Sequence, residues 1–222
     1  IHCNTFTERA WKMVADSGGH VSISCPIEME MGHGIPPVQQ ALDHGLRPSL
    51  SVDVETQMPG DFFTQMRAVF TLQRMQALAR QRANDAGTPR LLTVRDVIEF
   101  ATISGARANR LDAKIGTLMP GKDADMIAVD MRRIACSPVY DAHSALVYTG
   151  SGAAVTHAWV EGRALLSERR LCTLAHDELH AEALAWQAQG FASAKVKVGH
   201  DIDADVERLS AIRAAVGPAF RL

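Results

Sequence analysis

The first 53 residues hold an imidazole and a carboxylate of the kind that hydrolytic chemistry uses. His2 stands in "IHCN", Cys25 closes "SISCP", and Asp53 ends the polar part of "SVD". Imidazole and carboxylate are ligands for zinc or iron, and a carboxylate beside such a metal can take a proton from bound water. Read alone, a His or Asp at a strand end is more often a capped loop or a satisfied hydrogen bond. Between them, "SCPIEMEMGHG" offers Ser24, Glu28, Glu30 and His33. Far downstream, Lys195 and Lys197 in "AKVKVG" fall on one face of a strand by its period of two. Like charges side by side weaken each other's hold on the proton, so one lysine could act as a general base. Two solvated lysines on a strand edge are the ordinary alternative.

These groups need elements to position them. Thr5 and Glu8 form a T-x-x-E box ahead of "ERAWKMVADSGG", and Gly18 and Gly19 supply its stop. "HVSIS" alternates and is β-branched, which predicts a strand. "IPPVQQALDHG" predicts a helix opened by proline and closed by Gly45, and "RPSLSVDV" a second strand leading into "ETQMPGD". A long helix is expected from Asp61 to Arg82, with Phe62, Met66, Val69, Phe70 and Met75 at helical spacing. Such alternation favours an α/β fold with parallel strands, where catalytic groups project from the C-terminal strand ends.

Further on, "TVRDVIEFATISGARANRL" continues helical, capped by Thr93 with Asp96 three residues later. "IGTLMPGKDADMIAVDM" and "AVTHAWVEGRALLSERRL" are turn-rich with short β-branched runs, which predicts antiparallel β structure. "DELHAEALAWQAQG" predicts an amphipathic helix, and the tail returns to strand, helix and an incipient strand.

The bulk numbers exclude several classes. The chain has 222 residues, 47% hydrophobic and 22% charged, with a net charge of −2, so nothing attracts it to nucleic acid or an anionic membrane. Cys3, Cys25, Cys136 and Cys172 are scattered without a CxxC pair, which suits reduced thiols in a cytoplasm. No apolar run approaches the ~18 residues that span a bilayer. The chain opens without Met or a signal peptide and reads as cut from something longer.

The run from His2 to Met75 resembles the amidohydrolase superfamily, in the branch of cytosine deaminase, S-adenosylhomocysteine deaminase and the triazine hydrolases. The counterparts are His2-Cys3 for a strand-six "HC" pair, "SCPIEMEMGHGIPPVQQALDHG" for the strand-seven segment, and Asp53 for the strand-eight aspartate. "GDFFTQMRAVFTLQRM" is similar to the helix after strand eight. "ATISGARANRLDAKIGTLMPGKDADMIAVD" resembles the exit from the barrel into a small β-sandwich, and "AAVTHAWVEGRALL" its hairpin. The likeness covers roughly residues 1–187. It implies the last strands, 6–8, of a partial (β/α)8 TIM barrel over residues 1–110, a β-sandwich portion over 111–175, and a C-terminal helix and junction over 176–190.

It also implies roles. Asp53 would bind a divalent metal, zinc or iron, and accept a proton from the attacking water; His2 would orient water or polarise the substrate. Two departures stand out: the strand-seven segment lacks the usual His or Asn groups and offers Ser24, Glu28 and Glu30 instead, and the strand-one H-x-H pair and strand-five histidine are absent from the chain. Set against that segment, Glu28, Glu30 and His33 are candidate substrate contacts, and for His33 a solvated loop position is as ordinary a reading. A metal held by one carboxylate and one imidazole would be poorly retained.

The tail, about residues 188–222, is similar to the enolase superfamily, in the mandelate racemase and muconate lactonising branch. Lys195 and Lys197 match its K-x-K pair, followed by "AIRAAVGP". This implies a β-α-β piece of a second barrel over 191–222, without the three acidic ligands such chemistry uses.

The resulting expectation is a metal-dependent hydrolase of non-peptide C–N bonds, deaminase-like, catalytically incomplete as this chain, with a small-molecule substrate and room for homo-oligomerisation. One alternative is a non-catalytic remnant that serves as a binding or oligomerisation module through exposed strand edges. A third reading is an enolase-type racemase or cycloisomerase acting through the tail.

Overall fold

The computed structural model describes residues 1–55, 57–173, 176–190 and 210–214. The chain divides into two units, Ile1–Ala164 and Leu165–Leu222.

In the first unit, α1 (Glu8–Asp16) starts at Thr7, whose side chain accepts from the Ala10 amide. The T-x-x-E spacing expected the cap at Thr5; the chain instead turns two residues later, where Thr7 has the extended dihedrals a cap requires. Gly18, at φ 68, ends the segment as expected. Strands β1 (Ser22–Ile23) and β2 (Ser49–Leu50) pair in parallel, Ser22 opposite Ser49 and Ile23 opposite Leu50. Both are shorter than "HVSIS" and "RPSLSVDV" suggest, and β1 stops where Cys25 and Pro26 open helix α2 (Cys25–Glu30). Helix α3 (Val38–Asp43) completes the crossover and ends before Gly45. Residues 1–3 are not a strand: His2 and Cys3 are left-handed, at φ 70 and 65, and the His2 amide bonds to the Ser22 carbonyl at 3.0 Å.

Helix α4 (Phe62–Arg82) is the spine of this unit, capped by Asp61 onto the Thr64 amide at 2.8 Å. Its buried side is Phe63, Met66, Phe70, Gln73 and Ala77, the three- and four-residue spacing of one helix face. Phe62 and Met75, expected on that face, are exposed, since the stripe is rotated one position from the one their spacing suggested. The stripe packs with Ile23, Cys25, Val38, Leu50, Val97, Phe100 and Val147. Gln73 is buried without cost because its amide nitrogen donates to Gln39 Oε1 and the Arg90 carbonyl, and its oxygen accepts from the Leu92 amide.

The helical run after Thr93 is two helices. Helix α5 (Val94–Phe100) carries a full capping box between Thr93 and Asp96. At Thr102 the backbone leaves helical dihedrals before α6 (Ile103–Ala108). Gly116, at φ 87, lies so close to α6 that a Cβ would sit 2.7 Å from that of Ala106. Strand β3 (Met126–Val129) pairs antiparallel with β4 (Val155–Val160), Ile127 opposite Ala158. Between them lies α7 (Ala142–Tyr148), which had no sequence signal strong enough to name; the Arg67 guanidinium caps its end by donating to the Val147, Tyr148 and Gly150 carbonyls at 3.1, 3.0 and 2.6 Å.

Strand β5 (Arg163–Ser167) and β6 (Arg170–Leu171) form an antiparallel hairpin, Leu166 opposite Leu171. In the second unit α8 (His176–Ala188) forms where a helix was expected, but its apolar residues do not gather on one face, and Leu184 is exposed. A second antiparallel sheet that would complete a sandwich is not among the described residues. Lys195 and Lys197, with the strands expected around them, lie outside the described residues.

Candidate functional site

The segment before β1, the loop after β2 and helix α2 bring His2, Asp53 and Glu28 together, with Ser24 at the helix start and His33 beyond its end. Asp53 follows β2 by three residues and is left-handed at φ 69, as His2 is at φ 70. Positive φ is uncommon outside glycine and is held only where the surroundings impose it. Here it turns both side chains toward one another: His2 Nε2 lies 3.6 Å from Asp53 Oδ2. That is too long for a direct hydrogen bond, and both side chains keep about a third of their surface, 30% and 34%, open to solvent.

The other ring nitrogen looks inward. His2 Nδ1 lies 3.1 Å from Glu28 Oε1. Glu28 sits in α2 one turn past Ser24, so its carboxylate folds back onto the Ser24 amide at 2.8 Å, as an acidic residue near a helix start can. The side chain is wholly buried, behind the imidazole. Glu30, two residues on, is exposed, and no described hydrogen bond ties it to the cluster. His33 is exposed, its ring edge-on to that of His2 with centroids 5.4 Å apart. Met31 and Ile35, 51% and 61% exposed, add apolar surface on either side of His33 in the sequence.

Asn4 was not singled out in the sequence. Its amide nitrogen reaches Glu28 Oε2 at 3.4 Å and the Ile35 carbonyl at 3.3 Å. It stands inside the quoted "IHCN", yet a lone amide in an irregular segment has no periodicity to reveal it. Two buried atoms beside this network, Asn4 Oδ1 and Ser24 Oγ, have no hydrogen-bond partner.

The surroundings disfavour thiolate chemistry at the two cysteines nearest this cluster. Burial first, and then the Glu28 charge, push the Cys25 thiol up to about 12. Burial also raises Cys3, and the Glu28 charge acts in the same direction. Neither is a thiolate nucleophile at neutral pH. Among the described residues no three His, Cys, Asp or Glu side chains are grouped to hold a metal ion. His2 and Asp53 offer two donors where a catalytic zinc takes three from protein, so the described residues do not by themselves fit a metal centre. A cavity of about 520 Å³, lined by Ile1, Ser22, Ser49, Glu55, Phe62 and Asn109 among others, includes neither His2 nor Asp53.

Comparison with known proteins places these residues in a wider group. Residues 1–165 match the profile described as the amidohydrolase family, and residues 178–222 match one described as enolase C-terminal domain-like. A 5-methylthioadenosine/S-adenosylhomocysteine deaminase of Teredinibacter turnerae is 32% identical over 191 residues, covering 84% of this chain and 41% of that one. A 5'-deoxyadenosine deaminase of Methanococcoides burtonii is 28% identical over 183 residues, 82% of this chain and 40% of that one. Among solved structures, an adenosine deaminase from Xanthomonas campestris with bound zinc superimposes with a TM-score of 0.70 at 25% identity, covering 83% of this chain and 40% of that one. The atrazine chlorohydrolase of Arthrobacter aurescens complexed with zinc shares the fold, with a TM-score of 0.62 at 21% identity over 82% and 38% of the two chains. The chain thus spans about 40% of the length of the curated relatives it matches.

Proposed function

The chain belongs to the amidohydrolase family, and from that premise we propose that it carries one side of a deaminase-type site for hydrolysing a non-peptide C–N bond. The observation that carries the reading is the His2–Asp53 pair, two half-open groups 3.6 Å apart on left-handed backbone. In this reading Asp53 accepts the proton of the attacking water, and His2 orients that water or the leaving amino group. Aminopurine nucleosides are the substrate class, by the names of the relatives. The relatives' zinc supports a divalent metal, zinc or iron, in the family chemistry. This chain's described residues supply too few donors to fix one, so we expect weak metal retention and little turnover.

The test has two arms. Purified protein loaded with zinc, manganese or iron(II) and passed through gel filtration should retain well under one equivalent; tight stoichiometric binding would overturn the two-donor reading. With zinc in excess, any ammonia released from methylthioadenosine or adenosine should fall about 100-fold or more in Asp53→Asn. Release that survives this substitution would place the chemistry elsewhere.

A further inference from the structure

The hydrolytic reading leaves Glu28 without a part, since its side chain is fully buried and meets neither solvent nor substrate. What surrounds it is informative. The Ser24 amide donates to Oε1 at 2.8 Å, and the Asn4 amide nitrogen approaches Oε2 at 3.4 Å. The orientation of the Asn4 amide is set by its second contact, because the same nitrogen also donates to the Ile35 carbonyl. A carboxylate ringed by donors accepts on both oxygens. The remaining neighbour of Oε1 is His2 Nδ1, at 3.1 Å, and it makes a hydrogen bond there only if it carries the proton. In a neutral imidazole the other nitrogen then keeps its lone pair. That nitrogen is Nε2, the one facing Asp53.

We propose that Glu28 is the positioning residue of His2: it holds the ring as the Nδ1–H tautomer and aims the Nε2 lone pair at the solvent-open space that Asp53 also faces. The ring is located from two sides, its backbone amide bonded to Ser22 of β1 and its Nδ1 to Glu28 of α2. A helix-capping duty alone explains the Ser24 contact and leaves the imidazole contact unexplained. With this tautomer Nε2 is an acceptor, so His2 receives a hydrogen bond from water or an amino group before it can give one back. The inference takes its purpose from the hydrolytic reading, but its geometry stands without it.

The experiment reads the tautomer directly. Protein with 15N-labelled histidine is examined by long-range proton–nitrogen correlation at about pH 8.5, where an ordinary imidazole is neutral. The His2 signals are assigned by their loss in His2→Gln. The expected spectrum has a protonated Nδ1 and an unprotonated Nε2. In Glu28→Gln, which keeps the shape and removes the charge, the preference for Nδ1–H should fall about tenfold, because charged acceptors bind more strongly than neutral ones. An Nε2–H tautomer or a doubly protonated ring in the unsubstituted protein would overturn the proposal, as would an unchanged ratio in Glu28→Gln. If that variant does not fold, the unsubstituted spectrum alone decides. No metal and no turnover enter the measurement, so absent deamination leaves this inference standing, and a wrong tautomer leaves the family reading standing.

Discussion

Glu28 and Cys25 share the first turn and a half of α2, both wholly buried, and meet opposite surroundings. Donors face both oxygens of Glu28, while no described hydrogen bond reaches the Cys25 sulfur, which packs with Ile23, Val38 and Leu50. A thiol in that setting is a small hydrophobe, and pushing it up to about 12 follows from burial and the nearby carboxylate. Of the four free cysteines, Cys172 is exposed and Cys3, Cys25 and Cys136 are buried. A disulfide reagent at pH 8 should therefore titrate one thiol quickly and the other three only on unfolding. A second fast thiol assigned to Cys25 would contradict the packing described for α2.

At the scale of elements, α5 shows how a helix start becomes a hub. Asp96 sits in the capping box with Thr93 and also receives Arg90 and Arg47, at 3.1 Å each. Burial works against its charge, but the Arg90 guanidinium, the Thr93 amide and hydroxyl, and Arg47 outweigh it and hold the carboxyl well below the usual carboxylate range. A depressed folded value means that this stabilisation is complete above the unfolded value, about pH 4, and is lost as pH falls below it. Asp96→Asn should thus destabilise the protein by about 1–3 kcal/mol at pH 7 in urea unfolding, with the gap from the unsubstituted protein closing toward pH 2. A gap that stayed constant over that range would assign the loss to packing instead. The box itself was legible as Thr93 and Asp96 at their spacing; Arg47 was not, because it comes from 49 residues upstream.

For the whole molecule, the parallel pair β1–β2 is the element most in need of neighbours. Two short parallel strands are marginal alone, and parallel sheets are ordinarily covered and extended on both sides. Among the described residues these strands pair only with each other. We expect self-association, read as a mass above the monomer in light scattering after size exclusion at micromolar concentration; a clean monomer would argue against open edges. No helix among the described residues is long and apolar enough to cross a membrane. The enolase-like match over 178–222 adds a second family signature to the chain, and its Lys195 and Lys197 lie beyond the described residues.

The sequence by itself determined the family, most of the elements and the candidacy of His2 and Asp53, because motifs and helical period are local properties that survive without coordinates. It located α4 to within one residue at its start, since the Asp61 cap and the apolar spacing are both short-range. It misjudged what depends on how the chain turns. The Thr5 cap, the inward placement of Phe62 and Met75, the strand at residues 1–3 and the single helix through Thr102 were each decided by tertiary packing and backbone strain. The site divides the same way. Residue types named the chemistry, but only the fold could bury Glu28 beside an imidazole 26 residues earlier, the contact on which its proposed role toward His2 rests. Hydrogen-bond geometry between distant segments has no period and no spacing rule, so it is settled only when α2 packs beside residues 1–4.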